Sequence, residues 1–439
     1  PEIFWIDPNA LGGPNNRFLG TGMSVEATGP LVERDEGYVI WPSSYRSSGT
    51  TKALDLRPAA EDELTIASFN VLNLTEDSDW LEVQFPKLAR YIVERLGGPD
   101  IVALQEVGSR SLLNDLNFFI DQLAPHLNYR SYLIAGAGDI NVAYLVRDFI
   151  QVEEVRQLGN SETLSSGGRL HDRPPLLLRA VLPTDPPTPL SVLNLHLRSL
   201  NGIEGNNADF VRRKRHEQAI SVARMVQERQ DDNLVVVGDY NALPYTDGYV
   251  DVLAQISGKP TLGALYPVAQ IVQPPLRNNF TLFQPEEEQY SFVFQGSAQQ
   301  IDHCLTNELP DYTITDLAFA RGNADASYAY YVNPNITTRS SDHDGFVLYL
   351  RPNARFTSTD DLSSAPEQIH YPNPYRAGAL ISWPWEWGTV QCRLYRATGQ
   401  LVRQWQAQQQ TQLQNLSPGC YYLQIQCPDG KRTIRLIAQ

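Results

Sequence analysis

The chain has 439 residues, 42% of them apolar, which suits one large domain with one or two small ones. No run of about twenty apolar residues occurs, so no membrane-spanning helix is expected. A formal net charge of −15 excludes a protein that holds phosphate polymers by bulk charge alone, because that charge repels them.

Residues 1–58 are rich in Gly, Pro, Asn and Ser, with a strand-like piece at 37–41. They read as an N-terminal extension that packs on the main domain. The chain opens at Pro1 without an apolar leader, so any targeting peptide is expected to be missing from it. The main domain is expected at 59–352. Its first strand, 64–69, ends in Ser68-Phe69-Asn70. A helical stretch at 80–96 stops at Gly97-Gly98-Pro99. The strand at 100–104 runs into Gln105-Glu106, and Ser109 caps a second helix reaching 123. Strands follow at 141–146, 176–182 and 191–195, the last running into His196. A long helix at 208–229 precedes the strand 234–237, which ends in Gly238-Asp239-Tyr240-Asn241. Further strands are expected at 291–294, 300–306 and 345–350, with Ser341-Asp342-His343-Asp344 just before the last. Several strands of the second half have no helix between them, which predicts mixed rather than purely parallel sheets.

Residues 353–366 form a polar linker. Residues 367–439 read as a small all-β unit, with strands at 390–395 and 401–405 and a second pair at 421–426 and 433–437 around Pro428-Asp429-Gly430. From Pro366 onward the chain carries three acidic and seven basic side chains, a local excess of positive charge that marks a separate domain. Of the cysteines Cys304, Cys392, Cys420 and Cys427, none forms a CxxC pair, which argues against a structural zinc site. In an exported protein a disulfide from Cys392 to Cys420 or to Cys427 stays open.

Buried strands that end repeatedly in Asn, Glu, His and Asp point to a shared site, because each polar end needs a partner. Glu106, Asp239, Asp302 and Asp342 would place four carboxylates near one point, which requires a cation or proton among them. Oxygen ligands beside the amides of Asn70 or Asn241 suit Mg²⁺, Mn²⁺ or Ca²⁺ better than zinc. With His196 and His343, such a site is equipped for metal-assisted displacement at phosphorus. The run Arg212-Arg213-Lys214-Arg215-His216 reads equally as a solvated helix face or as a phosphate-tracking rim. Alternation along the strand turns His303 away from Asp302 and makes it structural, and it puts Tyr240 in the core. His171 and His216 are expected on the surface, and Asp247 and Asp344 in solvated turns.

Six segments in order carry a resemblance: Ser68-Phe69-Asn70-Val71-Leu72-Asn73-Leu74, Leu104-Gln105-Glu106-Val107, Asn194-Leu195-His196-Leu197-Arg198-Ser199, Gly238-Asp239-Tyr240-Asn241-Ala242-Leu243-Pro244, Ile301-Asp302-His303 and Ser340-Ser341-Asp342-His343-Asp344. The chain resembles the endonuclease/exonuclease/phosphatase (deoxyribonuclease I-like) superfamily. The resemblance implies an α/β fold, a four-layer sandwich of two mixed β-sheets flanked by helices. It implies metal ligands at Glu106, Asn70, Asp239 and Asp342, with Mg²⁺ as the main cation. Asp239 and Asn241 would orient the attacking water, Asp302 would orient His343, and His196, Asn241 and Arg173 would contact the phosphate. The stretch Tyr290-Ser291-Phe292-Val293-Phe294-Gln295-Gly296 is similar to large extracellular bacterial nucleases, so a nuclease acting on nucleic acid, DNA foremost, is expected. The alternatives are a phospholipid-headgroup or sugar-phosphate esterase and a non-catalytic binding module. Tyr371-Pro372-Asn373-Pro374, Leu394-Tyr395-Arg396-Ala397-Thr398-Gly399-Gln400 and Leu416-Ser417-Pro418-Gly419 look like the sorting domain of type IX secretion substrates, a small C-terminal all-β sandwich. That implies the type IX machinery as a partner and export to the cell surface or medium.

Overall fold

The computed structural model describes residues 4–7, 23–34, 37–49, 56–261, 263–356, 369, and 375–438 without 377, 397–400, 415, 418, 428 and 429. The sequence between 64 and 352 folds into two six-stranded mixed sheets stacked face to face. In chain order the strands are β1 (Leu64–Leu74), β2 (Ile101–Val107), β3 (Tyr129–Leu133), β4 (Asn141–Arg147), β5 (Gln151–Gln157), β6 (Leu176–Leu182), β7 (Thr188–His196), β8 (Leu234–Asp239), β9 (Arg277–Asn278), β10 (Asp302–Thr306), β11 (Tyr312–Phe319) and β12 (Phe346–Pro352). One sheet runs β11-β12-β1-β2-β4-β3 and the other β5-β6-β7-β8-β10-β9. Within these two sheets only β1–β2 and β7–β8 pair in parallel. These are the pairs with a helix between their strands, which is the connection a parallel crossover needs.

Strict alternation sorts each strand into two cores. Leu64 and Ile66 of β1, Ile101 and Ala103 of β2, Leu190 and Val192 of β7, and Val235 and Val237 of β8 meet between the sheets. The opposite faces of β1 and β2 pack on α1 (Leu81–Arg90) and α2 (Arg110–Leu123). The outer face of the second sheet packs on α3 (Ala208–Gln227) and α4 (Val252–Ser257). The result is helix, sheet, sheet, helix, the four layers expected. Ser109 caps α2 as anticipated, its side chain accepting from Leu112 N at 3.3 Å.

The inward positions change from apolar to polar toward one end of the sandwich. Gln105 Nε2 donates to Asn194 Oδ1 at 2.7 Å, and Asn194 Nδ2 donates to the carbonyls of Leu104 and Ala143 at 3.0 Å each. This amide layer ties the two sheets together just below the candidate site. A second fixed point is Gly238, at φ +134, where a Cβ would lie 2.1 Å from Leu195 O. Only glycine lets β7 and β8 approach this closely beside Asp239.

Strands β3, β5, β9 and β11 are absent from the sequence reading. Each sits at a sheet edge, β3 and β5 with polar side chains on the exposed face. α1 is shorter than expected and continues as a wider π turn over Tyr91–Arg95. In the tail, Thr389–Arg396 lies between Leu401–Gln408 and Gly419–Cys427, which pairs with Gly430–Ala438. Leu380–Ser382 pairs separately with Gln410–Gln412. Ile381, Val390, Leu394, Leu423, Ile425 and Leu436 fill the core between them. Cys392 is buried there as a free thiol, so the disulfide left open for it is not formed, and the side chain of Cys420 lies outside the described residues.

Candidate active site

The site lies where the polar strand ends converge. Asn70 ends the regular part of β1, and Ser68 and Asn70 share the inward face with Leu64 and Ile66. Alternation alone would turn Glu106 outward with Val102 and Leu104. The backbone instead takes φ +66 at Glu106, inside an irregularity in the pairing of β2 with β4, and re-aims the side chain. Non-glycine residues seldom hold that conformation, and strain of this kind concentrates at working sites. His196, Asp239 and Asp302 are register partners across three adjacent strands. Asn241 follows in the left-handed region at φ +49. Asp342 and His343 come from the loop entering β12.

The carboxylates meet at short range. Asn70 Nδ2 lies 3.1 Å from both Glu106 Oε1 and Asp239 Oδ2 and donates to them. The backbone N–H of Asn73 donates to Glu106 Oε2 at 2.8 Å. Asn241 donates twice to Asp239, from its backbone N–H to Oδ1 at 2.7 Å and from Nδ2 to Oδ2 at 3.0 Å. His196 Nε2 stands 3.5 Å from Asp239 Oδ2 and 3.7 Å from Glu106 Oε1. These are too long for good hydrogen bonds and right for ligands arranged about a common centre. One ligand atom from each of Glu106, His196 and Asp239 falls within 4.8 Å of the other two. Cis and trans ligands of a cation with bonds of about 2.1 Å sit about 3 and 4 Å apart, so this donor set fits a divalent ion.

Electrostatics agrees. Burial pushes the Asp239 carboxyl up to about 7, and the neighbouring charge of Asp302 adds to the rise. A carboxyl this costly to ionise, even with the charge of His343 nearby, calls for a cation. Burial holds His196 well below the usual imidazole range, helped by Arg173 and His343, so it is neutral. Burial would lower His343 too. The charge of Asp302 and its hydrogen bond to His343 Nδ1 at 2.7 Å outweigh that and hold the ring well above its usual range. His343 is therefore an imidazolium, with Phe292 packed over its ring at 4.9 Å between centroids.

Two residues expected as ligands sit differently. Asn70 turns its NH₂ toward the carboxylates while its Oδ1 accepts from Leu72 N at 3.1 Å, so it braces the ligands as a donor. Asp342 is outside the three-residue group. Its Oδ1 lies 4.0 Å from His343 Nε2 and takes a hydrogen bond from Ser341 Oγ at 3.3 Å. Arg173 donates to the carbonyls of His196 and Leu197 at 3.3 and 2.9 Å, a half-buried guanidinium within the field of Asp239 and Glu106.

Other expectations need correction. His171 is fully buried, with Nε2 3.0 Å from Ser221 Oγ. Asp344 is buried and paired with the equally buried Arg321 at 3.1 Å. His303 and Tyr240 are structural as read, and His303 Nε2 lies 2.7 Å from Ala242 O. In the basic run at 212–216, Lys214 and Arg215 turn inward, while Arg212, Arg213 and His216 stay half-exposed. Lys214 pairs with Asp172 at 2.6 Å, and Arg215 donates to the carbonyls of Arg198 and Asn241 and to Asp247. Sequence reasoning missed the roles of Ser341 and Ser291. Ser341 Oγ donates to Asn70 O at 2.7 Å and accepts from His343 N, so it stitches the two halves of the site. Ser291 Oγ accepts from Asp302 N at 3.2 Å.

Residues 67–343 match the model of the Endonuclease/Exonuclease/phosphatase family. The chain belongs to that family. As an endonuclease/exonuclease/phosphatase protein it is a hydrolase of the phosphodiesterase type, from a family whose enzymes use divalent metals. Residues 370–439 match the secretion system C-terminal sorting domain. That tail is a type IX sorting signal and directs the protein to the cell surface or the extracellular space. Among the described residues no helix is long and apolar enough to cross a membrane. No curated protein matches. Among solved structures the chain is similar to a humanized D. rerio TDP2 (18% identity over 66% of this chain and 99% of that one, TM-score 0.47). It is also similar to an endonuclease/exonuclease/phosphatase from Beutenbergia cavernae (16%, 86% and 100%, 0.43). A third is a family member from Bacteroides thetaiotaomicron (15%, 66% and 97%, 0.42).

Proposed function

We propose that this family member is a secreted, divalent-metal-dependent nuclease that cleaves nucleic-acid phosphodiesters, DNA foremost, by in-line attack of water. The observation that carries the reading is the Glu106–His196–Asp239 group with the His343–Asp302 pair beside it. Glu106, Asp239 and His196 would hold the cation, Mg²⁺ by the hardness of the two carboxylates. A cation there neutralises charge on the phosphate oxygens and polarises the phosphorus. With a net charge of −15, the protein depends on that cation to bring a polyanion close.

The chain's own groups supply the rest. Asp239 orients the water and takes its proton, with Asn241 fixing the geometry from two sides. His343, charged by its contact with Asp302, donates toward a non-bridging oxygen as negative charge grows there. His196 and Arg173 line the phosphate side of the site. Attack in line breaks the bond from phosphorus to the 3′-oxygen, which takes a proton from solvent, and leaves a 5′-phosphate and a 3′-hydroxyl.

Supercoiled plasmid incubated with Mg²⁺, Mn²⁺ or Ca²⁺ and with chelator tests this. Relaxation and fragmentation are expected with metal and none with chelator. Intact plasmid under every metal, or full activity in Asp239→Ala, overturns it. Release of phosphocholine or inorganic phosphate from other esters, with DNA untouched, would move the substrate to those esters.

A further inference from the structure

Between β9 and β10 the chain forms a short hairpin that the mechanism touches only at its base. Phe292–Phe294 pairs with Ser297–Gln299 around Gln295 and Gly296, both at positive φ, as a tight two-residue turn requires. The base of the hairpin is fixed to the catalytic segments. Ser291 O accepts from Asp344 N at 2.8 Å, Ser291 Oγ accepts from Asp302 N at 3.2 Å, and Phe292 lies over the His343 ring. Arg321 holds the residue before it, donating to Tyr290 O at 2.6 Å with its guanidinium 3.6 Å from the centre of the Tyr290 ring. The other end is open, and Phe294, Gln295 and Gly296 are exposed.

Alternation settles where the side chain at that end points. Phe292 and Phe294 are two residues apart on one strand, so they share a face of the hairpin with their register partners Gln299 and Ser297. Phe292 turns that face toward His343. Phe294 therefore projects on the same side, roughly 7 Å farther out, two residues at about 3.3 Å each. It is 53% exposed. A lone exposed phenylalanine needs no explanation by itself. This one stands on the catalytic face of an anchored hairpin, in a stretch from 289 to 301 without a charged side chain. In a protein of net charge −15, that stretch does not repel a polyanion. A single ring beside Gln295, Gly296 and Ser297, with no basic neighbour on the hairpin, is too little to hold a lipid surface. It is sufficient for one nucleobase, which stacks on one aromatic side chain.

We propose that Phe294 stacks on an unpaired base that flanks the scissile phosphate engaged by His343. The contact is blind to sequence, because every base has a π-face. As a contact to the strand being cut, it rests on the nuclease reading. It makes single-stranded nucleic acid the better substrate, because a base within a duplex is already covered by its neighbours in the stack.

Two measurements on the full chain test the contact and separate it from the nuclease reading. The probes are a short single-stranded oligothymidylate and a strand of equal length built of stable abasic residues, so the phosphates are equal and only the rings differ. Binding is read by fluorescence anisotropy at low salt in chelator. Wild type should bind the thymine strand about tenfold tighter than the abasic one. Phe294→Ala, at an exposed position and with an unchanged melting temperature, should bind both alike, and Phe294→Trp should restore the difference. Cleavage is then read with Mg²⁺. The thymine strand should show about tenfold lower KM in wild type and Phe294→Trp but not in Phe294→Ala, with kcat held, because the stack is equal in the ground and transition states. Equal binding of the two strands by wild type, or a difference that survives in Phe294→Ala, overturns the proposal. So does a loss in Phe294→Ala that is equal on both strands, which would make the ring a support for Phe292 and His343. Binding to phosphatidylcholine vesicles that Phe294→Ala abolishes, with strand affinity unchanged, also overturns it and gives the hairpin to a membrane. Cleavage indifferent to the bases rejects the contact and keeps the nuclease. Base-dependent binding through Phe294 with every oligonucleotide intact in every metal rejects the nuclease reading and keeps the contact.

Discussion

Replacing Asp239 by Asn should stabilise the metal-free protein. The carboxyl is 2% exposed and pushed up to about 7 by burial and by the charge of Asp302. Moving a carboxyl from its model value of 3.8 to about 7 corresponds to about 4 kcal/mol of penalty on the ionised form. The substitution does not recover all of it. Asn70 and Asn241 both donate to Oδ2, at 3.1 and 3.0 Å, and an amide nitrogen facing either would set donor against donor. That conflict costs about 1–3 kcal/mol, which leaves the variant ahead by about 1–3 kcal/mol at pH 8 in chelator. The direction with pH follows from the raised value. The folded protein holds this proton more tightly than the unfolded chain does. The penalty is therefore absent below about pH 4, grows as pH rises, and is complete above about pH 7. Thermal unfolding at several pH values, with chelator and with Mn²⁺ or Mg²⁺, checks each part. In chelator Asp239→Asn should melt below the wild type near pH 4, where only its donor-against-donor conflict counts, and several degrees above it at pH 8. Added metal should raise the wild type and leave the variant almost unmoved. A variant less stable than the wild type in chelator at pH 8, with an equal response to metal, would refute the argument that this carboxylate waits for a cation.

Asp302→Asn keeps the shape of the His343 contact and removes the charge that keeps the ring protonated. Phosphodiester turnover should fall about 100-fold or more, with metal affinity by calorimetry little changed, and wild-type turnover would contradict the role given to the pair. Lys87, fully buried in α1, places Nζ 2.7–3.1 Å from the carbonyls of Tyr330, Asn333, Ile336 and Thr338. Lys87→Met leaves those carbonyls without their donor and should cost about 3 kcal/mol in urea unfolding, with faster proteolysis within 328–339; an unchanged midpoint would contradict it. Burial pushes His171 down to about 4, so the unfolded chain takes this proton first as pH falls. The wild type should lose about 3 kcal/mol between pH 6.5 and 4 that His171→Gln does not lose, measured by chemical denaturation at matched pH.

The parts of this site that could be read from sequence are those where local pattern and local structure coincide. Asn70, Glu106, His196 and Asp239 each end an apolar run, and the alternation that turns His303 away from Asp302 needs no partner to be known. What could not be read depends on distant contacts. Asp344 looks like a turn residue until Arg321 is brought against it, and His171 looks exposed until Ser221 of α3 covers it. Lys214 and Arg215 lie on the inner side of α3 because Asp172 and Asp247 are there to meet them. The edge strands β3 and β5 were missed for a related reason, since half-exposed positions carry polar residues that hide the alternation. The inward turn of Glu106 rests on a left-handed backbone that no side-chain pattern announces.

His196, Asp239 and Asp302 stand shoulder to shoulder on one rung of the sheet, each on its own strand. The spacing of these three groups is thus set by the pitch of the ladder, about 4.8 Å per strand.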